Sequence, residues 1–503
     1  MQVSQPQPAL NPVNNAAPRR QFNPLGAGGW ATASFVLTYA ISAVLYIPLA
    51  RLLGPDDFGL YSEATLVYAG LTLVIELGLI RALVRTPGDP NEVAQATLWL
   101  ALISGLVGTL LCALVGFPLA FIYNNPDLIL LLMLLAPGVL AIALGAIPHA
   151  LLSRELDFRR KLIPEAVSTA IGAMVALVAA FLHAGVYSLI IYTIVRVGLN
   201  SLVAWWVVGW KPTRRRPKAA LLKQLLGFAL PSGLGEIALY ARFNIDTALI
   251  GLRLGTNMLG IYSLAWSTSD RPALLLNAFF SNVGYATFAR LGAATGHRET
   301  LRRIYLSATR LLAALALPIF GAGVLVRQDL VALVLGSRWL GVTEPLVGLF
   351  LLQAFWVIFY PATTLLLALG HSRTYAWVNN ASLVLTAIVV FIGTFGGVVG
   401  VAWAMLVAVG MTSLVWAVLV GRLLHLKLAD WWQVAKLPLL LTIVTLTAIF
   451  CTQTLSTIAH LPNLIRLVVA ILVGMAAFAG TVKLWGWTAL RQDLAVLGQQ
   501  LPT

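Results

Sequence analysis

Long apolar segments alternate with short polar loops along almost the whole chain. Each segment has about 20 residues, which is the length that an α-helix needs to cross the hydrocarbon core of a bilayer. A transmembrane β-barrel does not fit this pattern, because its strands have about 10 residues of alternating polarity. The pattern predicts an all-α polytopic membrane protein with about 14 spans. These lie at residues 28–50, 58–82, 94–117, 128–152, 162–184, 186–209, 226–251, 259–286, 304–326, 345–370, 376–395, 397–420, 437–455 and 463–487.

Composition and charge placement support the membrane assignment. Hydrophobic residues make up 59% of the chain and charged residues only 10%, whereas soluble domains have about 25% charged residues. The net charge of +15 would also suit a nucleic-acid-binding protein, but most basic residues lie in every second loop, as the positive-inside rule requires. This placement excludes nucleic acid as the partner and predicts that both termini are cytoplasmic. The only basic residues in the outside segments are then Arg51, Arg253, Arg327 and Arg338.

A short motif between the first two spans occurs a second time between the seventh and eighth. The first copy begins at Arg51 (RLLGPDDFGLYS) and the second at Leu252 (LRLGTNMLGIYS). An offset of 201 residues aligns Leu53, Gly54, Gly59, Tyr61, Ser62 and Ala64 with Leu254, Gly255, Gly260, Tyr262, Ser263 and Ala265. A duplicated membrane half is typical of secondary transporters. The repeat therefore predicts two pseudo-repeated six-helix bundles around a central cavity, followed by a C-terminal helix pair.

The loops between the spans divide the chain into seven regions. The linker between the bundles contains the longest basic run, residues 211–218, which is interpreted as a cytoplasmic anchor or as a binding site for anionic lipid headgroups. The predicted regions are a disordered cytoplasmic tail at 1–27, an N-terminal bundle at 28–209, the linker at 210–225, a C-terminal bundle at 226–421, an interfacial amphipathic segment at 422–436, the last two spans at 437–487 and a cytoplasmic tail at 488–503.

The first motif and several later segments resemble the signatures of bacterial polysaccharide repeat-unit flippases. These proteins form the polysaccharide transporter branch of the multidrug/oligosaccharidyl-lipid/polysaccharide exporter superfamily, and they serve O-antigen and exopolysaccharide synthesis. The similarity covers roughly residues 25–425. It rests on residues 50–61, 76–79 (ELGL), 82–85 (ALVR), 154–160 (RELDFRR), 244–246, 250–251, 255–265 and 367–373 (LALGHSR).

The resemblance implies a flippase and not an enzyme. Its substrate would be an oligosaccharide repeat unit on undecaprenyl pyrophosphate, moved from the cytoplasmic to the periplasmic leaflet of the inner membrane by alternating access. The lipid tail would stay in the bilayer, so membrane lipids are partners as well as the glycan. Polysaccharide polymerase and export proteins are further candidate partners. No cofactor is expected.

Charged side chains within spans are candidate functional residues, because each costs about 3 kcal/mol or more at the centre of a bilayer. In span six, Tyr192, Arg196 and Asn200 follow at i, i+4 and i+8 and share one helix face. In span seven, Arg242 and Asp246 are spaced i, i+4, which suits either a structural ion pair or a substrate-binding arginine with a carboxylate that tunes it. Guanidinium groups bind phosphate oxygens bidentately.

Spans two and eight contain the remaining candidates. Glu76 is a candidate proton carrier for coupling, and pairing with Arg81 or Arg85 is the alternative. Asp270 and Arg271 precede Pro272, which is expected to kink the helix, so this group is interpreted as a gate or as a self-satisfying charge pair. The resulting substrate-binding candidates are Arg242, Arg196, Arg271, Asn244 and Tyr192, and the coupling or gating candidates are Glu76, Asp246 and Asp270.

Two other classes of protein fit less well. A membrane-embedded polysaccharide polymerase or ligase needs a large external catalytic loop or an acidic metal motif, and the longest outside loop has only Asp329 and Glu344 as acids. A related drug exporter or peptidoglycan-precursor exporter shares the superfamily fold. An exporter of cationic drugs would have an acidic cavity, whereas the charges within these spans are more basic. The histidines, among them His149 near a span end, are interpreted as interfacial residues.

Overall fold

The computed structural model describes residues 47–86, 89–154, 157–213, 217–292 and 298–498. Every regular element in these ranges is helical, which confirms the predicted all-α fold. The predicted N-terminal tail, most of the first span and part of the basic linker lie outside the described residues. The helices are α1 (residues 47–52), α2 (Pro55–Arg85), α3 (Pro90–Ile122), α4 (Asp127–Arg154), α5 (Phe158–Phe181), α6 (Tyr187–Val208), α7 (Ala219–Leu254), α8 (Thr256–Gly292), α9 (Arg298–Leu330), α10 (Thr343–Ala368), α11 (Ser372–Gly393), α12 (Gly397–Leu424), α13 (Leu428–Ile458), α14 (Asn463–Thr481) and α15 (Trp487–Gly498).

Ten stretches of the described residues are long and apolar enough to cross a membrane, and one of them, Ser372–Leu424, contains both α11 and α12. The long helices α7 and α8 are not among the ten. These two helices carry Arg242, Asp246, Asp270 and Arg271. With Asn244 of α7, these two helices therefore contain five of the eight predicted site residues.

The helices form two groups that correspond to the sequence repeat. In the N-terminal half, α3 packs on α4, α5 packs on α6, and α4 contacts both α2 and α6. In the C-terminal half, α10 lies against α8, α9 and α12, and α11 packs on α12. The halves meet mainly where α2 packs against α7 and α8. The second helix of the first repeat is therefore the main element of the junction.

The last three helices are attached to α9 by ion pairs. Asp430 of α13 lies 2.7 Å from Arg302, and Arg466 of α14 pairs with Asp329. The predicted segment 422–436 is divided between the end of α12 and the first turns of α13, which continues to Ile458. Residues predicted as a C-terminal tail form α15 as far as Gly498.

A buried carboxylate attaches α15 to α9. Asp493 of α15 is buried, accepts a hydrogen bond of 2.7 Å from Ser307 and lies 3.3 Å from the Arg310 guanidinium. Ser307 and Arg310 both belong to α9. A buried carboxylate needs such partners, since an unpaired charge away from water is strongly unfavourable.

Candidate functional site

The two copies of the sequence motif pack against each other at the junction of the halves. A Cβ atom on Gly59 would lie 1.8 Å from the carbonyl oxygen of Thr256, and a Cβ atom on Gly260 would lie 1.8 Å from that of Pro55. Pro55 and Thr256 are equivalent in the repeat, as are Gly59 and Gly260. The contact is therefore reciprocal, as in a symmetric interface, and only glycine allows the two backbones to approach so closely.

Polar contacts follow the same pseudo-symmetry. Asn257 donates a hydrogen bond of 3.0 Å to Asp56, its equivalent in the other copy. The Thr256 hydroxyl donates a bond of 2.8 Å to Glu63, which is only 2% exposed. The sequence analysis did not select Glu63, although a carboxylate one residue after a repeated Tyr-Ser pair and inside a span was a usable signal.

The loop between α9 and α10 covers this junction. The indole nitrogen of Trp339 donates to the carbonyl oxygen of Ala50 at 2.6 Å, and the Phe58 ring meets the Trp339 ring edge-on at 5.2 Å between centroids. Arg51 donates to the carbonyl oxygens of Leu333 and Val334. In the predicted topology these contacts lie at the outer end of the molecule. These contacts add to those that join α2 to the C-terminal half.

A polar cavity of about 280 Å³ lies inside the N-terminal half, between α2, α4, α5 and α6. Its lining brings Glu76 and Arg196 together, two candidates from different helices. The same cavity contains three titratable residues that the sequence analysis did not assign to a site. These are His149, Lys161 and Glu165.

His149 corrects the interpretation of this histidine as an interfacial residue. Its side chain is only 7% exposed, and Nε2 lies 2.6 Å from Oδ1 of Asn200. The amide nitrogen of Asn200 lies 3.5 Å from the Ser168 hydroxyl. Two candidates of span six, Arg196 and Asn200, line the cavity, while the ring of Tyr192 packs 5.8 Å from the Arg196 guanidinium.

A second cavity, of about 160 Å³, lies in the C-terminal half between α7, α8, α10, α11 and α12. Arg242 is the only cationic side chain in its described lining, and it donates a hydrogen bond to Asn379. The remaining wall is aromatic and hydroxylated. It consists of Phe243, Trp266, Trp356, Phe359, Tyr360, Tyr375 and Trp416, with Thr363, Thr386, Thr412 and Ser413 and three aliphatic residues.

The aromatic rings of this cavity stack in pairs. Phe243 and Trp356 are 5.2 Å apart with an interplanar angle of 11°, and Tyr375 and Trp416 are 5.7 Å apart at 27°. The Arg242 guanidinium lies 5.2 Å from the centre of the Phe243 ring. Stacked rings hold one another in place, so this wall presents fixed flat surfaces next to one cation.

Asp246 lies apart from Arg242, although they are one helical turn apart on α7. Within the described residues the two form no ion pair, and Asp246 instead accepts a hydrogen bond of 2.5 Å from the Tyr262 hydroxyl. Asp246 and Asn244 line a third cavity, of about 280 Å³, between α2, α7 and α8. Phe243 and Trp266 belong to both this cavity and the aromatic one, and separate them.

The remaining candidates lie elsewhere on α8. The amide of the fully buried Gln353 approaches Asp270 at 3.5 Å, and Asp270 also interacts with the neighbouring charge of Arg271. Neither Asp270 nor Arg271 is part of the described lining of the three cavities. The side chains of Arg81 and Arg85, the alternative partners of Glu76, lie outside the described residues.

Comparison with known proteins agrees with this architecture. The chain is 23% identical over 74% of its length to the teichuronic acid biosynthesis protein TuaB of Bacillus subtilis (strain 168), of which it covers 76%. It is 27% identical over 65% of its length to the succinoglycan biosynthesis transport protein ExoT of Rhizobium meliloti (strain 1021), of which it covers 65%. Its fold matches the lipid II flippase MurJ in an inward closed conformation with a TM-score of 0.73, at 13% identity and over 92% of this chain and 99% of that one.

A family model provides the assignment itself. The model described as "Polysaccharide biosynthesis protein" matches residues 48–344, which include both copies of the motif, the described lining of the N-terminal cavity and the α7 and α8 side chains of the other two cavities. This match confirms the resemblance that the motifs indicated. The chain belongs to the polysaccharide biosynthesis protein family, with an all-helical multi-pass transporter fold.

Proposed function

We propose that this protein moves lipid-linked oligosaccharides from the cytoplasmic to the outer leaflet of a bacterial inner membrane during polysaccharide synthesis. The observation that carries the proposal is the pairing of one partly buried arginine with an aromatic wall in the C-terminal cavity. Sugars expose flat apolar faces and hydroxyl groups, and a pyrophosphate or an acidic sugar is an anion. Arg242, the stacked rings and the Thr and Ser hydroxyls match these chemical features.

Arg242 is the group proposed to contact the anion. A guanidinium stays charged when it leaves water and offers donors in a planar fork that fits phosphate or carboxylate oxygens. Its present partner, Asn379, is neutral, so the positive charge is not cancelled by an adjacent carboxylate. An anion that enters the cavity would exchange a neutral acceptor for a charged one.

The sugar part of the substrate would lie against the aromatic rings. Trp356 and Trp416 present faces held by Phe243 and Tyr375. The third cavity, beyond Phe243 and Trp266, supplies Asn244 and hydroxyl groups of Ser62 and Thr65 for further sugar contacts. The lipid tail would remain in the bilayer beside the protein, as is possible for a substrate with one polar and one apolar end.

Transport requires that the junction of the two halves opens and closes. Rocking of one repeat against the other is the common mode of alternating access in such folds. The reciprocal contact of Gly59 and Gly260 supports a closed outer end, and opening it would release the substrate to the outer leaflet. In this proposal both termini are cytoplasmic, and polymerase and export proteins receive the flipped repeat unit.

The test is the leaflet location of undecaprenyl-linked oligosaccharide in cells that lack this chain. Intact spheroplasts are treated with periodate, which does not enter the cytoplasm, and the fraction of oxidised glycan is measured. In the deletion strain the proposal expects repeat units that are protected from periodate, together with loss of surface polysaccharide. The wild-type chain should reverse both defects, and Arg242→Ala should reverse neither. Repeat units that are oxidised but not polymerised would contradict it and indicate a polymerase or ligase.

A further inference from the structure

The N-terminal cavity differs in composition from a substrate site. It combines carboxylates Glu76 and Glu165 with the cations Lys161 and Arg196, and it has no aromatic side chain in its described lining. Opposite charges within one small cavity largely compensate each other. The cavity therefore offers little net attraction for an anion and no flat surface for a sugar.

Each of the four surrounding helices contributes at least one of its polar groups. Glu76 comes from α2, His149 from α4, Lys161 and Glu165 from α5, and Arg196 from α6. Glu76 interacts electrostatically with Lys161, Arg196 and Glu165, and the hydroxyl group of Tyr68 on α2 is a further neighbour. His149 interacts with Lys161.

One of the two ring nitrogens of His149 has no hydrogen-bond partner. Because Asn200 directs its amide nitrogen towards Ser168, its carbonyl oxygen accepts from Nε2 of the histidine. The neutral ring then has its lone pair on Nδ1. This Nδ1 atom is buried and has no hydrogen-bond partner, in a side chain that is more than nine-tenths buried. An unsatisfied buried acceptor is unusual in a folded protein and needs an explanation.

We propose that the N-terminal cavity is a proton-binding site whose occupancy controls the junction of the two halves. A proton adds to Nδ1 of His149 or to an oxygen of Glu76 or Glu165, and the same proton leaves to the other side of the membrane when the protein changes conformation. Arg196 then acts as the counter-charge of the carboxylates and not as a pyrophosphate ligand. The inference builds on the proposed function, since it supplies the coupling for that transport.

The charge inventory favours a proton over a metal cation. Lys161 and Arg196 repel a cation that enters the cavity, whereas a proton only changes the charge of a group that is already there. Imidazole is the side chain whose unperturbed pKa lies closest to neutral pH. Glu76 and Glu165 line the same cavity, and a proton on one of them removes the repulsion between the two negative charges.

The cavity is connected to the junction through α2 and α6. Glu76 lies on the same helix as Gly59 and Glu63, the two junction residues of the first repeat. The hydroxyl groups of Tyr61 on α2 and Thr193 on α6 are 2.8 Å apart, and Thr193 lies one turn before Arg196. A change of charge between Glu76 and Arg196 would therefore act on the two helices that this hydrogen bond holds together.

The experiment measures the opening of the outer end directly and needs no glycan. Cys112 and Cys451 are replaced by alanine, and spin labels are attached at Asp127→Cys and Arg338→Cys, which are exposed positions at the predicted outer ends of the two halves. The full-length protein in lipid nanodiscs is studied by double electron–electron resonance between about pH 5 and about pH 8. The ratio of short to long distances is expected to change about 5-fold or more, as for typical coupling between two sites.

Variants of the cavity separate this coupling from general effects of pH. His149→Gln and Glu76→Gln are expected to remove the dependence of the distances on pH or to displace its midpoint by about one pH unit or more. Glu165→Gln provides a second carboxylate variant if Glu76→Gln does not yield monodisperse protein. Glu92→Gln, which changes an exposed glutamate of the same half, is the matched control and should behave like the wild type.

Two results would overturn the inference. One is a wild-type distance distribution that does not change with pH, and the other is an unchanged pH dependence in His149→Gln together with both carboxylate variants. Either result would leave the proposed flippase function intact, because the periodate assay in spheroplasts tests that function independently. Conversely, a pH-dependent junction in a protein that fails the periodate assay would retain the proton site and reject the substrate.

Discussion

The cavities of the two halves are built on repeats of one sequence, yet their side chains belong to different chemical classes. The N-terminal cavity has two carboxylates, two cations and a histidine. The C-terminal cavity has one cation, Arg242, among seven aromatic residues. The first resembles a site that exchanges protons, and the second resembles a site that holds sugars and an anion.

The junction between these cavities has remained alike in both copies. Gly59 and Gly260 each allow the close approach of a backbone carbonyl from the other half, and Asp56 meets its equivalent Asn257. A close backbone contact tolerates no additional atom, whereas a cavity wall tolerates many side chains. The contact between the halves is therefore alike in both copies, while the side chains of the two cavities differ.

The largest effect on this comparison is expected from Arg242→Ala. Truncation of a partly buried arginine that contacts an anion is expected to cost about 2 kcal/mol, so transport should fall by roughly 30-fold. Arg242→Lys should recover part of it, because lysine keeps the charge but not the planar fork. Surface polysaccharide in a deletion strain and the amount of protein in the membrane are measured together.

The control for this prediction is Arg373→Ala, an exposed arginine near the start of α11, the helix that contains Asn379. It should transport like the wild type. Full transport by Arg242→Ala would show that the C-terminal cavity does not bind the anion, and the division of tasks between the cavities would then be wrong.

The second effect concerns the junction that both cavities share. Gly59→Ala places a methyl group against the backbone of Thr256, and overpacking of this kind costs about 1–3 kcal/mol. The population of the closed state relative to the open state should fall by about 5-fold or more, which the distance between the spin labels reports. Gly260→Ala should have the same effect through Pro55.

Gly198→Ala on α6 is the matched substitution, since a Cβ atom there meets nothing within 4 Å. It should leave the distances unchanged. Distances in Gly59→Ala that equal those of the wild type would mean that the reciprocal contact does not control closure.

A smaller effect is expected from Trp356→Ala in the aromatic wall. Trp356→Ala removes the ring that stacks on Phe243 and, in the proposal, on a sugar. The loss of stacking itself costs about 0.5–1.5 kcal/mol, which corresponds to transport that is roughly 2- to 10-fold weaker. Trp356→Phe should recover most of it. The pH dependence of the spin-label distances should not change, so the same variant tests whether the two cavities act separately.

The smallest effect on transport is expected at the attachment of α15. Asp493→Asn keeps the hydrogen bond from Ser307 but loses the ion pair with Arg310, which should lower the free energy of unfolding by about 1–3 kcal/mol. Thermal unfolding in detergent measures this loss. Unaltered stability would show that α15 is not held through Asp493, and a loss of transport would assign the last helices a direct role.

The sequence was sufficient for the features that depend on neighbouring residues. The long apolar runs located most of the helices, although the helices extend beyond the runs. α9, predicted at 304–326, extends over Arg298–Leu330, and α13, predicted to begin at residue 437, begins at Leu428. The repeated motif indicated a duplicated half, and the family match confirms the relationship that its residues suggested. Charges within spans pointed to α6, α7 and α8, because such charges stand out in any apolar run.

The local rules were insufficient where helices meet. The i, i+4 spacing placed Arg242 and Asp246 on one face. In the structure, however, Arg242 forms a hydrogen bond with Asn379, and Asp246 forms one with Tyr262. His149 looked interfacial from its position near a span end, yet α6 covers it with Asn200. The partner in each case lies on another helix, which a pattern within one helix does not reveal.

Sequence alone thus determined the order of most helices and the presence of a repeated motif, and it predicted the orientation, because hydropathy and charge act locally along the chain. Only the tertiary structure decided that Glu76, His149, Glu165 and Arg196 share one cavity while Arg242 faces another. The N-terminal cavity is formed by four helices and the C-terminal cavity by five. The rotation of each helix about its axis is fixed by packing against its neighbours, and that packing decides which polar side chains meet.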